Sequence, residues 1–220
     1  MKRTYQLTKS KFILGLQCEK ALYLNVYYPK LAYYSPDTLA KFREGRNFEA
    51  KIKAMFPNGT DISKALGMRM QQYPAMTEKL LAHPGEVTIY EAGFIYNGVL
   101  VLADILHRDA NGDINIYEVK NSLSMKDVFV RDISIQHYVI SHCIDIKSFS
   151  LVYNDGEDNP VYEDLISKAR ETVPIIEKQV EGFKTMLQGF MPEIEMGDHC
   201  QNPYECPFLR HCKRNKRTSQ

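Results

Sequence analysis

The chain has almost no excess of charge. Its 28 Lys and Arg against 27 Asp and Glu leave a formal net charge of +1, so no whole-molecule field draws it to nucleic acid, and any such binding has to come from local patches. The run Lys213-Arg214-Asn215-Lys216-Arg217 is one such patch. Long apolar runs are also missing. The only one near the N-terminus is Phe12-Ile13-Leu14-Gly15-Leu16, too short for a signal-peptide core or a bilayer span, so the expectation is a cytoplasmic protein with no membrane partner. There is no Gly-x-x-x-x-Gly-Lys phosphate loop, no internal repeat and no low-complexity segment. With 44% hydrophobic and 25% charged residues, fibrous and disordered classes are excluded, and 220 residues are expected to form a single domain.

Cysteine is scarce too: five in the chain. In a reducing cytosol such a set is not expected to form structural disulfides, and clustered members point to metal. Cys200, Cys206 and Cys212 recur at equal gaps of five residues near the C-terminus, which leaves a fourth ligand to be found. Cys143 reads as a buried core thiol.

What is present is a succession of periodic segments. Ser10 precedes an apolar-periodic run over 11–25 that reads as one helix containing Cys18. A Tyr- and Pro-rich loop over 27–36 leads into Ser35 as N-cap and Pro36 as first helical residue, predicting a helix to about Phe56. A short helix is expected around 77–82. Residues 86–96 and 99–108, joined by Asn97-Gly98, predict a hairpin, because that dipeptide supplies the positive φ angles of a two-residue turn. Residues 114–121 extend it to a meander. A helix from about Met125 to His142, capped by Ser124, crosses over to a fourth strand at 147–154, which predicts parallel pairing. Residues 155–160 read as a loop and 161–188 as helix. The expected class is α/β: a mixed sheet, with an antiparallel meander and a crossover helix, flanked by helices.

Several charges fall where charges should not. Asp104 interrupts the strand Val101-Leu102-Ala103-Asp104-Ile105-Leu106, and an unpaired buried carboxylate is costly unless a cation compensates. Glu118 and Lys120, two apart on the next strand, share one face. Carboxylates on neighbouring strands can hold a hard divalent cation such as Mg²⁺, and a lysine beside them can orient water or neutralise phosphate charge. Glu49 lies seven residues from both Phe42 and Phe56, which sets it on an apolar stripe, with Gly45 one turn earlier leaving room for a close neighbour or ligand, or, in a helix rotated from this phase, on the surface. Glu91, alternating with Val87, Ile89, Gly93 and Ile95, competes for the role of third carboxylate. Gln136 shares a helix face with Phe129, Ile133 and Ile140, an amide among apolar groups. An ordinary ion-paired cluster is the alternative for these charges.

Glu49 after Gly45, Asp104, Glu118-x-Lys120 and Gln136 together resemble the PD-(D/E)xK nuclease superfamily, in its RecB-like branch. The resemblance covers residues 35–154 and implies a restriction-endonuclease-like core that hydrolyses phosphodiesters of DNA, single-stranded in particular, with Mg²⁺ or Mn²⁺. It assigns Glu49, Asp104, Glu118 and the Val119 carbonyl to the metal, Lys120 to activation of the nucleophile, and Gln136 to positioning. The related Gln-x-x-x-Tyr pattern is absent, Tyr138 being the nearest substitute. A subgroup, including CRISPR-associated exonucleases, AddB-type proteins and exonuclease V, carries an iron–sulfur cluster on one cysteine before the core and three after it. By that resemblance Cys18 joins Cys200, Cys206 and Cys212 around [4Fe–4S], stapling residues 1–34 to 190–220. The subgroup spaces its first two trailing cysteines as C-x2-C, unlike the gaps here. Zinc on the same cysteines, with His199 and His211 as further donors, is the alternative. Tyr28 and Tyr33, with Tyr27, Tyr34 and Lys30 interleaved, could stack on bases or pack between helices. A helicase or another repair or defence protein is the implied partner. The alternative function is a non-catalytic nucleic-acid-binding module with a metal staple.

Overall fold

The structure, a computed structural model, describes residues 6–157 and 159–218. Residues Met1–Lys9 with Phe42–Ile176 form one compact unit, and Ser10–Lys41 with Glu177–Gln220 form another. Among the described residues no helix is long and apolar enough to cross a membrane. The last two residues of the basic run, Lys216 and Arg217, have side chains outside the description.

The first unit is an α/β layer structure around a mixed sheet. Its strands are β1 (Leu7–Thr8), β2 (Thr60–Asp61), β3 (Val87–Tyr96), β4 (Val99–Arg108), β5 (Ile114–Val119), β6 (Ser148–Asn154) and β7 (Pro160–Asp164). The order is β2-β3-β4-β5-β6-β7, with β1 on β4. The predicted hairpin and meander are present: β3, β4 and β5 run antiparallel, and the turn at Asn97 and Gly98 has φ of 47° and 67°, the left-handed values that favour this dipeptide. Helix α6 (Asp127–Ile140) crosses over to β6, which pairs parallel with β5.

Two expectations fail here. The helix after β5 starts at Asp127 behind an extended Lys126 that provides no side-chain cap, so Ser124 is not its N-cap. The segment after residue 159 is not helical from Val161: Pro160–Asp164 is β7, antiparallel to β6, and the long helix α7 (Ile166–Gln188) begins only after it. A strand of five residues at a sheet edge, with no fully buried member, has too little apolar alternation to be told from a helix start.

Helices α4 (Ile62–Leu66) and α5 (Tyr73–Leu81) occupy the segment for which the sequence predicted a shorter helix. Gly93 is required where α5 meets β3: a Cβ there would lie 2.5 Å from Tyr73 Cβ. The Gly93 N–H donates to Thr77 Oγ1 at 2.8 Å. Helix α3 (Pro36–Ala54) packs Phe48 and Ile52 onto Ile105, Val119 and Val152. The buried face therefore runs through Phe48, and Phe42 is exposed. The stripe Phe42-Glu49-Phe56 is rotated by about one residue, which leaves Glu49 half-buried at its border. Nothing lies within 4 Å of a Cβ placed on Gly45, so no close approach explains that glycine.

The second unit contains α1 (Lys9–Gln17) from its second residue, α2 (Glu19–Tyr27), the start of α3, the end of α7, and α8 (Leu209–Thr218). Ser35 caps α3 as predicted, its Oγ accepting from Thr38 N–H at 3.2 Å. The expected helix over 11–25 is two helices, because Cys18 is extended, with φ −163° and ψ 115°.

One buried group makes a pH-dependent contribution. His137 on α6 is 4% exposed. Burial, then the charges of Arg170 and His142, hold its pKa down from 6.5 to about 4. Between those values the unfolded chain binds the proton and the folded one does not, so stability falls as pH drops from 6.5 toward 4. Thermal melts between pH 7 and 5 should show the midpoint declining in the parent, with a shallower slope in His137→Gln.

Candidate functional site

The ladder of β4 has a gap. On the same edge, β1 pairs with Val99 and Leu100 while β5 pairs with Ile105 to Arg108, and Asp104 lies in between. Its Oδ2 takes the place of a ladder acceptor, receiving the Val119 N–H at 2.7 Å. Continuing the observed pairings Ile105↔Tyr117 and Tyr90↔Ile105 by one residue sets Glu118 and Glu91 opposite Asp104. Three carboxylates thus occupy one row across β3, β4 and β5. Glu91 breaks β3 with φ of 58°, a left-handed conformation that costs a non-glycine residue about 1 kcal/mol or more.

Helix α3 adds Glu49. Carboxylate oxygens of Glu49, Glu91 and Asp104 all lie within 4.8 Å of one another, a grouping suited to a hard divalent cation. Both contenders for the third carboxylate are therefore present. Burial, and then the charge of Glu118, push Asp104 well above the usual carboxylate range, with Lys9 and Lys120 offsetting only part. Burial raises Glu91 as well, against the opposing pull of Lys53.

Three lysines answer this charge. Lys53, one turn along α3, contacts Glu49 at 2.5 Å and Glu91 at 2.9 Å. Lys9, immediately after β1, and Lys120, immediately after β5, both contact Glu118 Oε1 at 2.7 Å. Lys120 also contacts Asp132 of α6 at 2.6 Å. Burial alone would raise the Glu118 pKa, but Lys120 and Lys9 outweigh it and hold Glu118 at about 2. Burial tends to lower Lys120, and the charges of Glu118, Asp132 and Asp104 raise it well above the ordinary lysine value. Lys9 and Lys53 are raised in the same way, chiefly by Glu118 and by Glu91 respectively.

Gln136 on α6 is fully buried, and its Nε2 donates to Glu118 Oε2 at 2.7 Å and to the Asp132 carbonyl at 3.2 Å. The sequence-predicted Asp104, Glu118, Lys120 and Gln136 are thus brought together, with Glu49 beside Asp104, and Val119 tied in through its N–H. Tyr138 is a correction. It is fully buried, its hydroxyl accepts from Asn97 at 2.9 Å, and its ring packs on Tyr96, so its side chain has no surface to offer a substrate. Sequence reasoning missed Lys9, Lys53 and Asp132. The i,i+4 pairs Glu49–Lys53 and Asp132–Gln136 were available signals, whereas nothing local to Lys9 marks it.

In the second unit, Cys18, Cys200, Cys206 and Cys212 line one cavity with Lys20, Leu24, His199 and Phe208. The helix break at Cys18 and the backbone bond from Cys206 N–H to the Cys200 carbonyl, 2.9 Å, shape its wall. Burial pushes the Cys206 thiol up to about 11, and raises Cys18 and Cys212 as well. His199 Nε2 is 3.7 Å from Cys200 Sγ, while His211 contacts Asn215. Cys143 is exposed rather than a core thiol. Tyr28 and Lys30 are exposed, and Tyr33 is covered by the Arg210 guanidinium 3.2 Å from its ring centre, so of the two tyrosines Tyr28 keeps the freer face.

Replacing Gln136 by Leu should lower stability by about 1–3 kcal/mol, because buried Glu118 Oε2 loses its donor. The check is thermal or urea unfolding, and an unchanged midpoint would remove Gln136 from the network.

No family model matches the chain, and no curated protein matches it. Among solved structures, one titled "Crystal structure of SSO0001" is similar over 78% of this chain and 76% of its own, at 13% identity and a TM-score of 0.37.

Proposed function

We propose that the protein is a divalent-metal-dependent DNA nuclease of the PD-(D/E)xK type, with a restriction-endonuclease-like core in the first unit. The observation that carries this reading is the meeting of Glu49, Glu91 and Asp104 at a fork in the sheet, with Glu118 on the adjoining strand and Lys120 immediately after it. In this reading Glu49, Asp104 and Glu118 hold Mg²⁺ or Mn²⁺, and Glu91 is positioned to join them. A divalent ion bound there supplies Lewis-acid charge to a phosphodiester and makes water a better nucleophile. Asp104 is kept high by burial and neighbouring charge, so a cation relieves a cost that the row otherwise bears. Lys120, anchored by Asp132, is held where it can orient water or meet charge on the phosphate. Gln136 fixes the Glu118 carboxylate in place.

The four cavity cysteines would hold [4Fe–4S] in the second unit. Zinc on the same four sulfurs, which it would bind tetrahedrally, is the alternative. The raised thiols must lose their protons to serve as ligands, so loading releases protons. Tyr28 and Lys30 supply stacking and phosphate contact for single-stranded DNA, and a helicase or other repair or defence protein is the proposed partner.

A second reading, a non-catalytic nucleic-acid-binding module, is favoured by one observation: Lys9, Lys53 and Lys120 already pair with Glu49, Glu91 and Glu118, so much of the cluster is neutral without an ion. The two readings separate on anaerobically purified protein, by iron and zinc analysis with an optical spectrum and by cleavage of end-labelled single-stranded DNA with and without Mn²⁺. Asp104→Ala and Lys120→Ala are each expected to abolish Mn²⁺-dependent cleavage while leaving the iron content unchanged. A parent that binds DNA and never cuts it, or a variant that cuts like the parent, would overturn the assignment.

A further inference from the structure

Glu118 Oε1 accepts two ammonium groups, from Lys9 and Lys120, both at 2.7 Å. Its Oε2 accepts the Gln136 amide at 2.7 Å. A carboxylate oxygen has about two lone-pair sites, so Oε1 is full. A divalent cation drawing on that oxygen has to displace one lysine. The two lysines are not equivalent. Lys120 has a second carboxylate, Asp132, at 2.6 Å, whereas among the described residues the ion pair of Lys9 is with Glu118. Displacement therefore falls on Lys9.

The displaced ammonium cannot travel far, because the backbone just before it is fixed in the sheet, Leu7 pairing with Val99 and Thr8 with Leu100. It remains beside the carboxylate row with donors that have lost their acceptor, in a setting already crowded with lysines, and the partner that suits it there is an anion. We infer that Lys9 is the phosphate-holding residue of the site, released from Glu118 when the divalent cation binds and then bound to a non-bridging phosphodiester oxygen. This rests on the nuclease reading and adds a coupling to it. The free carboxylate site masks Lys9, and the metal exposes it, so that metal occupancy sets affinity for the nucleic-acid backbone at that point. Lys9 is on this account a binding and positioning residue, with Lys120 kept for the nucleophile.

The test uses the full chain and the variants Lys9→Met, Lys9→Gln and Lys9→Arg, with three readouts. Mn²⁺ affinity without DNA is measured by electron paramagnetic resonance. Affinity for a single-stranded oligodeoxynucleotide is measured in Ca²⁺ and again in EDTA. Cleavage in Mn²⁺ is resolved into KM and kcat. Lys9→Met is expected to bind Mn²⁺ more tightly than the parent, since a competing cation is gone. It should also bind the oligonucleotide about tenfold more weakly in Ca²⁺, the worth of one charge-assisted hydrogen bond, with no change in EDTA. Lys9→Arg should restore most of the Ca²⁺-dependent affinity. Lys9→Gln, which retains a donor for Glu118, carries the same comparison should the Met variant fail to fold, with the same directions expected. Weaker Mn²⁺ binding would make Lys9 a structural support for Glu118, and equal losses in Ca²⁺ and EDTA would make it a general electrostatic contact; either overturns the proposal. A parent that cleaves while the variants match it in all readouts sinks the role of Lys9 alone, whereas a parent that neither takes up Mn²⁺ nor cleaves removes the nuclease reading with it.

Discussion

Three acidic side chains set in one row across three neighbouring strands are the constraint around which the first unit is organised. Like charges directly opposite one another destabilise a sheet, and here they sit where β4 has no ladder partner on one edge. The compensation arrives from four elements. Lys53 comes from α3, Lys9 from the residue after β1, Lys120 from the residue after β5, and the Gln136 amide from α6. None of these is close to another in sequence, so the charge pattern is satisfied only when the helices and strands are in their observed places. A network of this sort adds little net stability, because desolvating each ion offsets much of its Coulomb gain, yet removing any one member strands another. Its contribution is to geometry.

That geometry was partly legible in the sequence. Asp104, Glu118 and Lys120 could be read because a strand alternates with period two, so a charge amid apolar neighbours declares its position. Gln136 declared itself in the same way at helical spacing. Glu49 was harder. The apolar residues of α3 suggested a stripe through Phe42, but the buried pair is Phe48 and Ile52, and an error of one residue in helix phase is about 100° in direction. Glu91 was legible as a contender from its alternation with Val87, Ile89, Gly93 and Ile95, although its left-handed backbone could not be foreseen from that pattern. Lys9 was invisible because its significance comes wholly from a two-residue parallel strand formed with residues more than ninety positions away.

The second unit shows the opposite balance. Cys200, Cys206 and Cys212 stand out by type and spacing, Cys18 joins them only through the family resemblance, and all four line one cavity. What spacing could not give was the backbone that presents them. Cys18 stops one helix and opens the next, and the cavity floor is apolar, formed by Ala21, Leu24, Phe208 and Leu209. In that setting burial raises the thiols of Cys18, Cys206 and Cys212. The aromatic loop was ambiguous in sequence and remains divided in structure, with Tyr33 covered by Arg210 and Tyr28 open.

The outer margins of the sheet have a different significance. One is β2, two residues long, and the other is β7, which begins with Pro160 and ends with Glu163 and Asp164. A sheet margin with free N–H and C=O groups is a template on which another chain can add a strand. A two-residue margin gives such a strand almost no length to grip, while a proline withholds one donor and adjacent acidic groups repel an incoming copy of themselves. The sheet that carries the charged row is therefore protected against self-association at both flanks.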